Sequence, residues 1–110
     1  MKIKKLFGIE YPIFQGGMAN IATGKFAAAV SNAGAMGIIG AGGMDTETLE
    51  KEIKLCKAET DKPFGVNIML MNPCADEMAE LVADEKVSLV TTGAGNPGKY
   101  VDMWKSAGIK

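Results

Sequence analysis

The sequence predicts an α/β protein of the parallel (β/α)8 barrel class, on two observations. Four short apolar runs are dense rather than alternating, which is typical of strands buried on both faces of a parallel sheet. They lie at residues 12–17, 36–42, 64–70 and 87–93. Their carboxyl ends recur about every 25 residues, the length of one strand and one helix, so eight such units would reach roughly 200 residues.

The chain of 110 residues is therefore predicted to be one domain, residues 1–110, holding about the first four βα units of such a barrel and ending before the fifth strand. A doubly wound open sheet is the alternative, and it requires helices on both faces. In either architecture the strand ends collect on one rim, where ligands bind.

The first two helices after a strand have clear boundary signals. Residues 24–32 are rich in alanine and end at Ala33-Gly34, which predicts a C-terminal stop. Asp45 is placed to cap the next helix, whose outer face is Glu and Lys and is expected to be solvated. Its inner stripe is predicted to be Leu49, Ile53 and Cys56.

The last two predicted helices begin with the same sequence signal. The Asn-Pro pairs at 72–73 and 96–97 are predicted to supply an N-cap residue followed by proline at the first helical position. Gly108 is the predicted stop of the second. Its buried stripe is predicted to be Tyr100, Val101 and Trp104.

Composition excludes several classes of protein. Hydrophobic residues make up 47% and charged residues 23%, and the net charge of -1 offers no basic stripe for nucleic acid or an anionic membrane. No apolar span approaches the roughly 18 residues of a transmembrane helix, and Gly8, Glu10 and Pro12 interrupt the N-terminal segment before a signal-peptide core can form. We expect a cytoplasmic protein that binds neither nucleic acid nor membrane.

The chain has two cysteines and no histidine, so a disulfide framework, a Cys/His metal site and a nucleophile–base pair are not expected. Cys56 is predicted to be a small core residue. Cys74 follows a predicted helix start, where backbone N–H groups favour a thiolate, but no base lies beside it in the sequence and we expect it to be inert.

Candidate ligand-binding residues lie at the strand ends, in segments 15–18, 40–43 and 91–95 and at Asn67. Glycines there let a flat ring approach the backbone, although turns and tight packing also require glycine. An amide inside an apolar run is costly unless paired, so Asn67 either binds a heterocycle edge or is tied to a neighbouring loop. Met18 and Met69 are either core filler or the lining of an apolar pocket.

Gly93, Gly95 and Gly98 have the G-x-G-x-x-G spacing of a dinucleotide-binding loop. They belong to the fourth βα unit rather than the first, and Pro97 removes one N–H from the helix start. The acidic ribose partner expected about 20 residues later lies past Lys110. The spacing is therefore better explained as a barrel-rim loop.

Four motifs, in order and at matching spacing, carry a resemblance to a known family. They are Y-P-I-F-Q-G-G-M-A at 11–19, A-G-A-M-G-I-I-G-A-G at 33–42, K-P-F-G-V-N-I-M-L at 62–70 and V-T-T-G-A-G-N-P at 90–97. Together they closely resemble the bacterial FMN-dependent enoyl-acyl-carrier-protein reductase II, within the nitronate monooxygenase and 2-nitropropane dioxygenase superfamily. The resemblance covers essentially the whole chain.

The resemblance implies a (β/α)8 barrel with non-covalent FMN, which takes hydride from NADH or NADPH and passes it to an enoyl thioester on acyl carrier protein, the last reductive step of fatty-acid elongation. Carried over by motif, the flavin contacts fall on the early strand ends. Gly17 and Met18 would pack at the isoalloxazine ring, Gly40 would allow close backbone approach, Asn67 would hydrogen-bond the polar edge, and Thr92 with Gly93 would border the flavin.

The same resemblance places the family's phosphate-binding loops and its catalytic histidine, in a Gly-Gly-His segment, beyond Lys110. We therefore expect residues 1–110 to be inactive and without stoichiometric FMN on their own, and to need the rest of the barrel as well as acyl carrier protein. Two alternatives stay open. One is an oxygen-dependent nitronate monooxygenase, and the other is a non-catalytic half barrel that assembles with itself or a partner.

Overall fold

The computed structural model describes residues 2–110, in which parallel strands alternate with helices along the chain. The elements are α1 (Lys2–Phe7), α2 (Gly24–Asn32), β1 (Gly37–Gly40), α3 (Thr46–Glu59), β2 (Phe64–Met69), α4 (Ala75–Glu85), β3 (Leu89–Gly93) and α5 (Gly98–Ser106). The strands lie in the order β1, β2, β3, and each neighbouring pair is parallel. The predicted α/β class is confirmed.

The helices that follow the strands lie on one face of the sheet. α2 packs on α3, α3 on α4 and α4 on α5. Their apolar residues share one core with Ile39, Val66 and Ile68 of the strands. The other face carries a separate small cluster that contains no residue of these helices; its buried members are Ile9, Met36, Ile38 and Leu89. Helices on one face only are the arrangement of a barrel wall, so the doubly wound alternative is wrong.

The predicted first strand at 12–17 is not a regular strand. Only Phe14 pairs with the sheet, through a single parallel bridge to Met36. Met36 N donates to the carbonyl of Ile13 (2.9 Å), and Gln15 N donates to the carbonyl of Met36 (3.0 Å). The backbone then leaves the sheet.

Beyond this point the Gln15 side chain, instead of the backbone, forms the hydrogen bonds to β1. Its Oε1 accepts from Ile38 N (2.9 Å), and its Nε2 donates to the carbonyl of Ile38 (3.1 Å). An amide side chain carries the same donor and acceptor as a peptide group, so it serves as the next rung of the parallel ladder. Two residues further along, Gly40 N donates to the carbonyl of Ala22 (2.8 Å). The outer edge of β1 is thereby paired without a continuous neighbouring strand.

The other three predicted strands are confirmed with shorter bounds, and β1 lies unusually close to α2. A Cβ built on Gly37 would be 2.0 Å from the carbonyl oxygen of Ala27. The N–H of Gly37 is satisfied by Oγ of buried Ser31 (3.1 Å), which also donates to the carbonyl of Pro63 (2.7 Å). Contact between helix and strand at this distance requires glycine.

The boundaries of α2 are those predicted, and α3 begins where Asp45 predicted. Asp45 Oδ1 accepts from Thr48 N (2.8 Å), as an N-cap residue does. The predicted inner stripe is fully buried, including Cys56. Burial raises the pKa of the Cys56 thiol to about 12, as expected for an inert core cysteine.

The two Asn-Pro predictions were wrong in detail. α4 begins two residues, and α5 one residue, later than predicted, and the N-cap positions are Cys74 and Pro97. Asn72 Oδ1 accepts from Cys74 N (2.8 Å), and Asn96 Oδ1 accepts from Gly98 N (2.9 Å). Each asparagine therefore forms an Asx turn, in which the side chain bonds the backbone two residues on, rather than a helix cap.

The structure also contains α1, which the sequence analysis did not predict. All of its residues are exposed except half-buried Phe7, whose ring packs edge-on against Phe14 with centroids 5.0 Å apart. The helix ends at Phe7 and is followed by Gly8, which has a φ of +67°. No apolar periodicity marks so short an exposed helix, because it buries no stripe.

α4 and α5 are linked by a polar contact that titrates in acid. The hydroxyl of Tyr100 donates to Asp76, and Lys99 Nζ lies 3.0 Å from Asp76 Oδ1. The hydrogen bond from Tyr100 and then the charge and hydrogen bond of Lys99 hold the pKa of Asp76 below its ordinary value of 3.8. The predicted stripe of α5 is confirmed for Tyr100 and Trp104, which are buried.

Because the folded-state pKa of Asp76 is lowered, this contact contributes stability above the ordinary carboxyl pKa and loses it as pH falls through the folded value. We expect Asp76→Asn to reduce the loss of stability between about pH 5 and about pH 2, measured as the urea midpoint at each pH. Asp84→Asn, at an exposed position of the same helix, is the control. Identical acid profiles for the wild type and Asp76→Asn would contradict the prediction.

Candidate functional site

The carboxyl ends of the strands and the segment from Gly17 to Met18 meet on the inner face of the sheet, the face without the helices. We call this region the mouth, and it is formed by Gly17, Met18, Gly40, Asn67 and Thr91. Asn67 pairs in register with Gly40 on one side and Thr91 on the other. The structure thus brings together four of the six residues predicted from the sequence, and adds Thr91.

The two mouth glycines make the region compact. A Cβ built on Gly17 would lie 2.7 Å from Asn67 Cβ, and one built on Gly40 would lie 2.7 Å from the carbonyl oxygen of Met18. The backbone of Met18 therefore lies directly against Gly40. These contacts seat the segment directly on the ends of β1 and β2.

Asn67 is half-buried and held on one side only. Thr91 Oγ1 donates to Asn67 Oδ1 (2.8 Å), while Asn67 Nδ2 has no hydrogen-bond partner within residues 2–110. The carbonyl of Asn67 accepts from Ala41 N (3.1 Å), which fixes its backbone to the end of β1. The side-chain oxygen is therefore tied within the protein, and the N–H group is available to a ligand.

Met18 and Met69 are not buried by the other residues of 2–110. They are 41% and 42% exposed, whereas Met36 is fully buried. Met69 lies two residues beyond Asn67 on the same face of β2, and its Cε would lie 3.6 Å from a Cβ built on Gly42. The exposed side chains of Met18 and Met69 give this region apolar surface, and Asn67 Nδ2 gives it one hydrogen-bond donor.

Thr92 lies on the opposite face from the mouth. It pairs in register with buried Ile68, and it lines an apolar groove of about 440 Å³ against α5, together with Val90, Val101 and Trp104. Only its backbone is near the inner face. The alternation of side chains along a strand makes Thr91 the inward residue, but this is visible only when the register with Asn67 is known.

Gly93 is the last residue of β3 and pairs with Met69. A Cβ built on Gly93 would have no atom within 4 Å, and the same holds for Gly16, so the rim is open at both places. Beyond Gly93 the chain turns through Ala94 and Gly95, which have φ values of +59° and +159°. The Gly98 N–H that a pyrophosphate would use is taken by Asn96. The G-x-G-x-x-G segment is a rim loop, as the sequence indicated.

These features suit one edge of a flat heterocycle. The methionines offer apolar contact, Asn67 offers a donor to an acceptor atom on the ring, and the open rim leaves space for the plane. Among residues 2–110 there is no cluster of three or more His, Cys, Asp or Glu side chains that could hold a metal ion. Within the same residues, no helix has the length and apolar character to cross a membrane.

Comparison with known proteins identifies a family, curated relatives and solved structures that are similar to this chain. A family model described as nitronate monooxygenase matches residues 1–106. Among curated proteins, the nitronate monooxygenase of Paraburkholderia phytofirmans is 37% identical to the chain, covering 92% of it and 28% of the relative. Among solved structures, FabK from Thermotoga maritima is 50% identical with a TM-score of 0.96, covering 99% of the chain and 35% of FabK.

A nitroalkane oxidase from Streptomyces ansochromogenes shares the fold at 22% identity and a TM-score of 0.88, over 99% of the chain and 41% of the oxidase. FabK and this oxidase are TIM barrels, so the predicted barrel class is confirmed. The chain spans well under half the length of each of these proteins.

Proposed function

The chain belongs to the nitronate monooxygenase family, and from that premise we propose that it forms the early-strand wall of the FMN site in an enoyl-acyl-carrier-protein reductase of the FabK kind. Members of the family are FMN-dependent flavin oxidoreductases. In the proposal the intact protein reduces a trans-2-enoyl thioester carried by acyl carrier protein, with NADH or NADPH as hydride donor. FabK is itself an enoyl-acyl-carrier-protein reductase II.

The similarity to FabK is the observation that carries this proposal. Identity is 50% over 99% of the chain, against 37% over 92% for the Paraburkholderia nitronate monooxygenase. The V-T-T-G-A-G-N-P form of the third observed strand and its loop, residues 90–97, also favours the reductase. Acyl carrier protein, the remainder of the barrel and a cytoplasmic location are parts of the same proposal.

The mouth residues fit FMN, and each would make a different kind of contact with it. Asn67 Nδ2 would donate to an acceptor on the polar edge of the ring system, and Met18 with Met69 would cover apolar ring surface. Gly17 and Gly40 keep the 17–18 segment seated so that these groups stay in place. When bound, FMN supplies the hydride transfer, and this chain's residues orient the ring and keep water from its covered side.

The second candidate is a nitronate monooxygenase, which the family model and the Paraburkholderia relative favour. The two activities differ in their need for oxygen. The mouth described above is compatible with both, because it would contact the flavin rather than the substrate.

The test uses the full-length protein as its gene encodes it, purified and loaded with FMN, under nitrogen and then in air. We expect oxidation of NADH or NADPH that depends on a crotonyl thioester and proceeds without oxygen. The measurement is absorbance of the reduced nicotinamide, with saturated butyryl thioester as the matched control. Oxygen-dependent consumption of a nitronate with no thioester-dependent turnover would replace the reductase with the second candidate.

A further inference from the structure

We infer that Thr91 is a positioning residue for the flavin site: its hydroxyl holds the Asn67 amide with the N–H group facing the mouth. The inference rests on the proposed function, since it concerns how the chain holds FMN. It assigns a role to a side chain that sequence reasoning passed over in favour of its neighbour Thr92.

The strand register brings Thr91 and Asn67 together. β2 and β3 pair in parallel with Asn67 opposite Thr91, so both side chains emerge on the inner face at the same height. Thr91 Oγ1 donates to Asn67 Oδ1 at 2.8 Å. Both backbones belong to the paired sheet, so the two groups are held at this distance by rigid elements rather than by a loop.

The opposite side of Asn67 is closed by the 17–18 segment. A Cβ built on Gly17 would be 2.7 Å from Asn67 Cβ and 3.5 Å from Asn67 Cγ, so the backbone there lies against the side chain. Asn67 is thus confined between Gly17 and Thr91, and the remaining freedom of its amide is rotation about the last side-chain bond.

The rotation of the Asn67 amide determines whether a donor or an acceptor faces a ligand in the mouth. With Oδ1 bonded to Thr91, the mouth receives a donor; after half a turn it would receive an acceptor. Acceptor atoms on a flavin edge require the donor. In the structure the hydroxyl at position 91 donates to Oδ1, so the amide already has the useful orientation before FMN binds, and less of the binding free energy is spent on ordering it.

Thr92 offers a matched comparison within the same strand. Its side chain lies in the groove against α5, beside Val101 and Trp104, and its register partner is Ile68 rather than Asn67. Thr91→Val and Thr92→Val remove the same hydroxyl and add the same methyl group on opposite faces of β3. Only the first change removes the hydrogen bond to the amide.

The experiment measures the dissociation constant of FMN for full-length apo-protein, by quenching of flavin fluorescence. We expect Thr91→Val to weaken binding about five- to tenfold, the loss of one well-placed hydrogen bond, and Thr91→Ser to restore binding to within about twofold of the wild type. Thr92→Val should stay within about twofold of the wild type. In an Asn67→Ala background, Thr91→Val should cause no further loss, because its effect passes through the amide.

Thermal midpoints of the apo-proteins separate this role from a structural one, since a positioning effect changes FMN affinity at nearly constant midpoint. Wild-type affinity in Thr91→Val, or equal losses with and without Asn67, would overturn the inference while leaving the proposed function intact. Failure of the wild type to bind FMN would overturn both. Should Thr91→Val not fold, Asn67→Asp decides: it replaces the mouth-facing N–H by an oxygen, and unchanged FMN affinity would refute the inference.

Discussion

Gly37→Ala is expected to leave the protein largely unfolded. The new Cβ would lie 2.0 Å from the carbonyl oxygen and 2.7 Å from the carbonyl carbon of Ala27, and both are backbone atoms of α2. Neither a rotamer change nor a small shift relieves such an overlap, so α2 must move away from β1 and open the core around Ile39. We expect a cost of about 3 kcal/mol or more, a large share of the stability of an ordinary domain.

The measurement is urea unfolding of the full-length protein, followed by circular dichroism and tryptophan fluorescence. Gly24→Ala should be similarly damaging, because its Cβ would lie 2.1 Å from the carbonyl oxygen of Glu52 in α3. Gly16→Ala is the control, since a Cβ there meets no atom within 4 Å, and its effect should stay within about 0.5 kcal/mol. A Gly37→Ala protein with the wild-type midpoint would show that α2 and β1 are not in this contact.

Gly40→Ala is expected to abolish tight FMN binding while the helical layer stays folded. Its Cβ would lie 2.7 Å from the oxygen and 2.8 Å from both the carbonyl carbon and the nitrogen of Met18. The 17–18 segment must therefore lift off β1, which carries Met18 away from the mouth and uncovers Asn67. Because the apolar contact and the seat of the ring are disturbed together, we expect at least a tenfold weaker dissociation constant.

Gly43→Ala is the matched control for Gly40→Ala. It lies in the loop after the same strand, but its Cβ would meet only Asn20 Oδ1 at 3.8 Å, an ordinary contact. Flavin content after purification and titration of apo-protein with FMN are the two readouts, and far-ultraviolet circular dichroism reports whether the fold persists. Stoichiometric flavin in folded Gly40→Ala would show that the 17–18 segment has no part in binding.

The elements that the sequence predicted well are those whose signals are local. The inner stripe of α3 follows from helical periodicity, and Asp45 caps it through a bond to a residue three positions away. The strands β1, β2 and β3 are dense apolar runs, which is the pattern expected for strands buried on both faces of a sheet. Such signals need no knowledge of distant partners.

The structure differs from the sequence-based expectations where the decisive partner is far along the chain. Residues 12–17 have the composition of a strand, but the Gln15 side chain bonds Ile38, 23 residues away, in place of a backbone rung. Thr91 and Thr92 are indistinguishable until the register with β2 is known. In the Asn-Pro segments the same residue types serve an Asx turn or a cap, and geometry alone separates them.

In the candidate site, too, local sequence signals identified positions, whereas their partners became known only from the fold. Asn67 was identified because an amide within an apolar run demands a partner, and the structure supplies one for its oxygen only. Gly40 was identified as a position of close approach, and in the structure the backbone of Met18 lies against it. The composition of a strand end predicts that something comes close, and the fold determines what it is.

The Gln15 side chain has a consequence for the outer edge of β1. Strand edges with unpaired N–H and C=O groups recruit strands from other molecules, and a short β1 bordered by a departing backbone would be such an edge. Here the N–H groups of Met36, Ile38 and Gly40 are all bonded within the chain, the middle one by the Gln15 amide. A single glutamine therefore lets the backbone turn away toward the mouth while the outer edge of β1 stays closed to intermolecular β-addition.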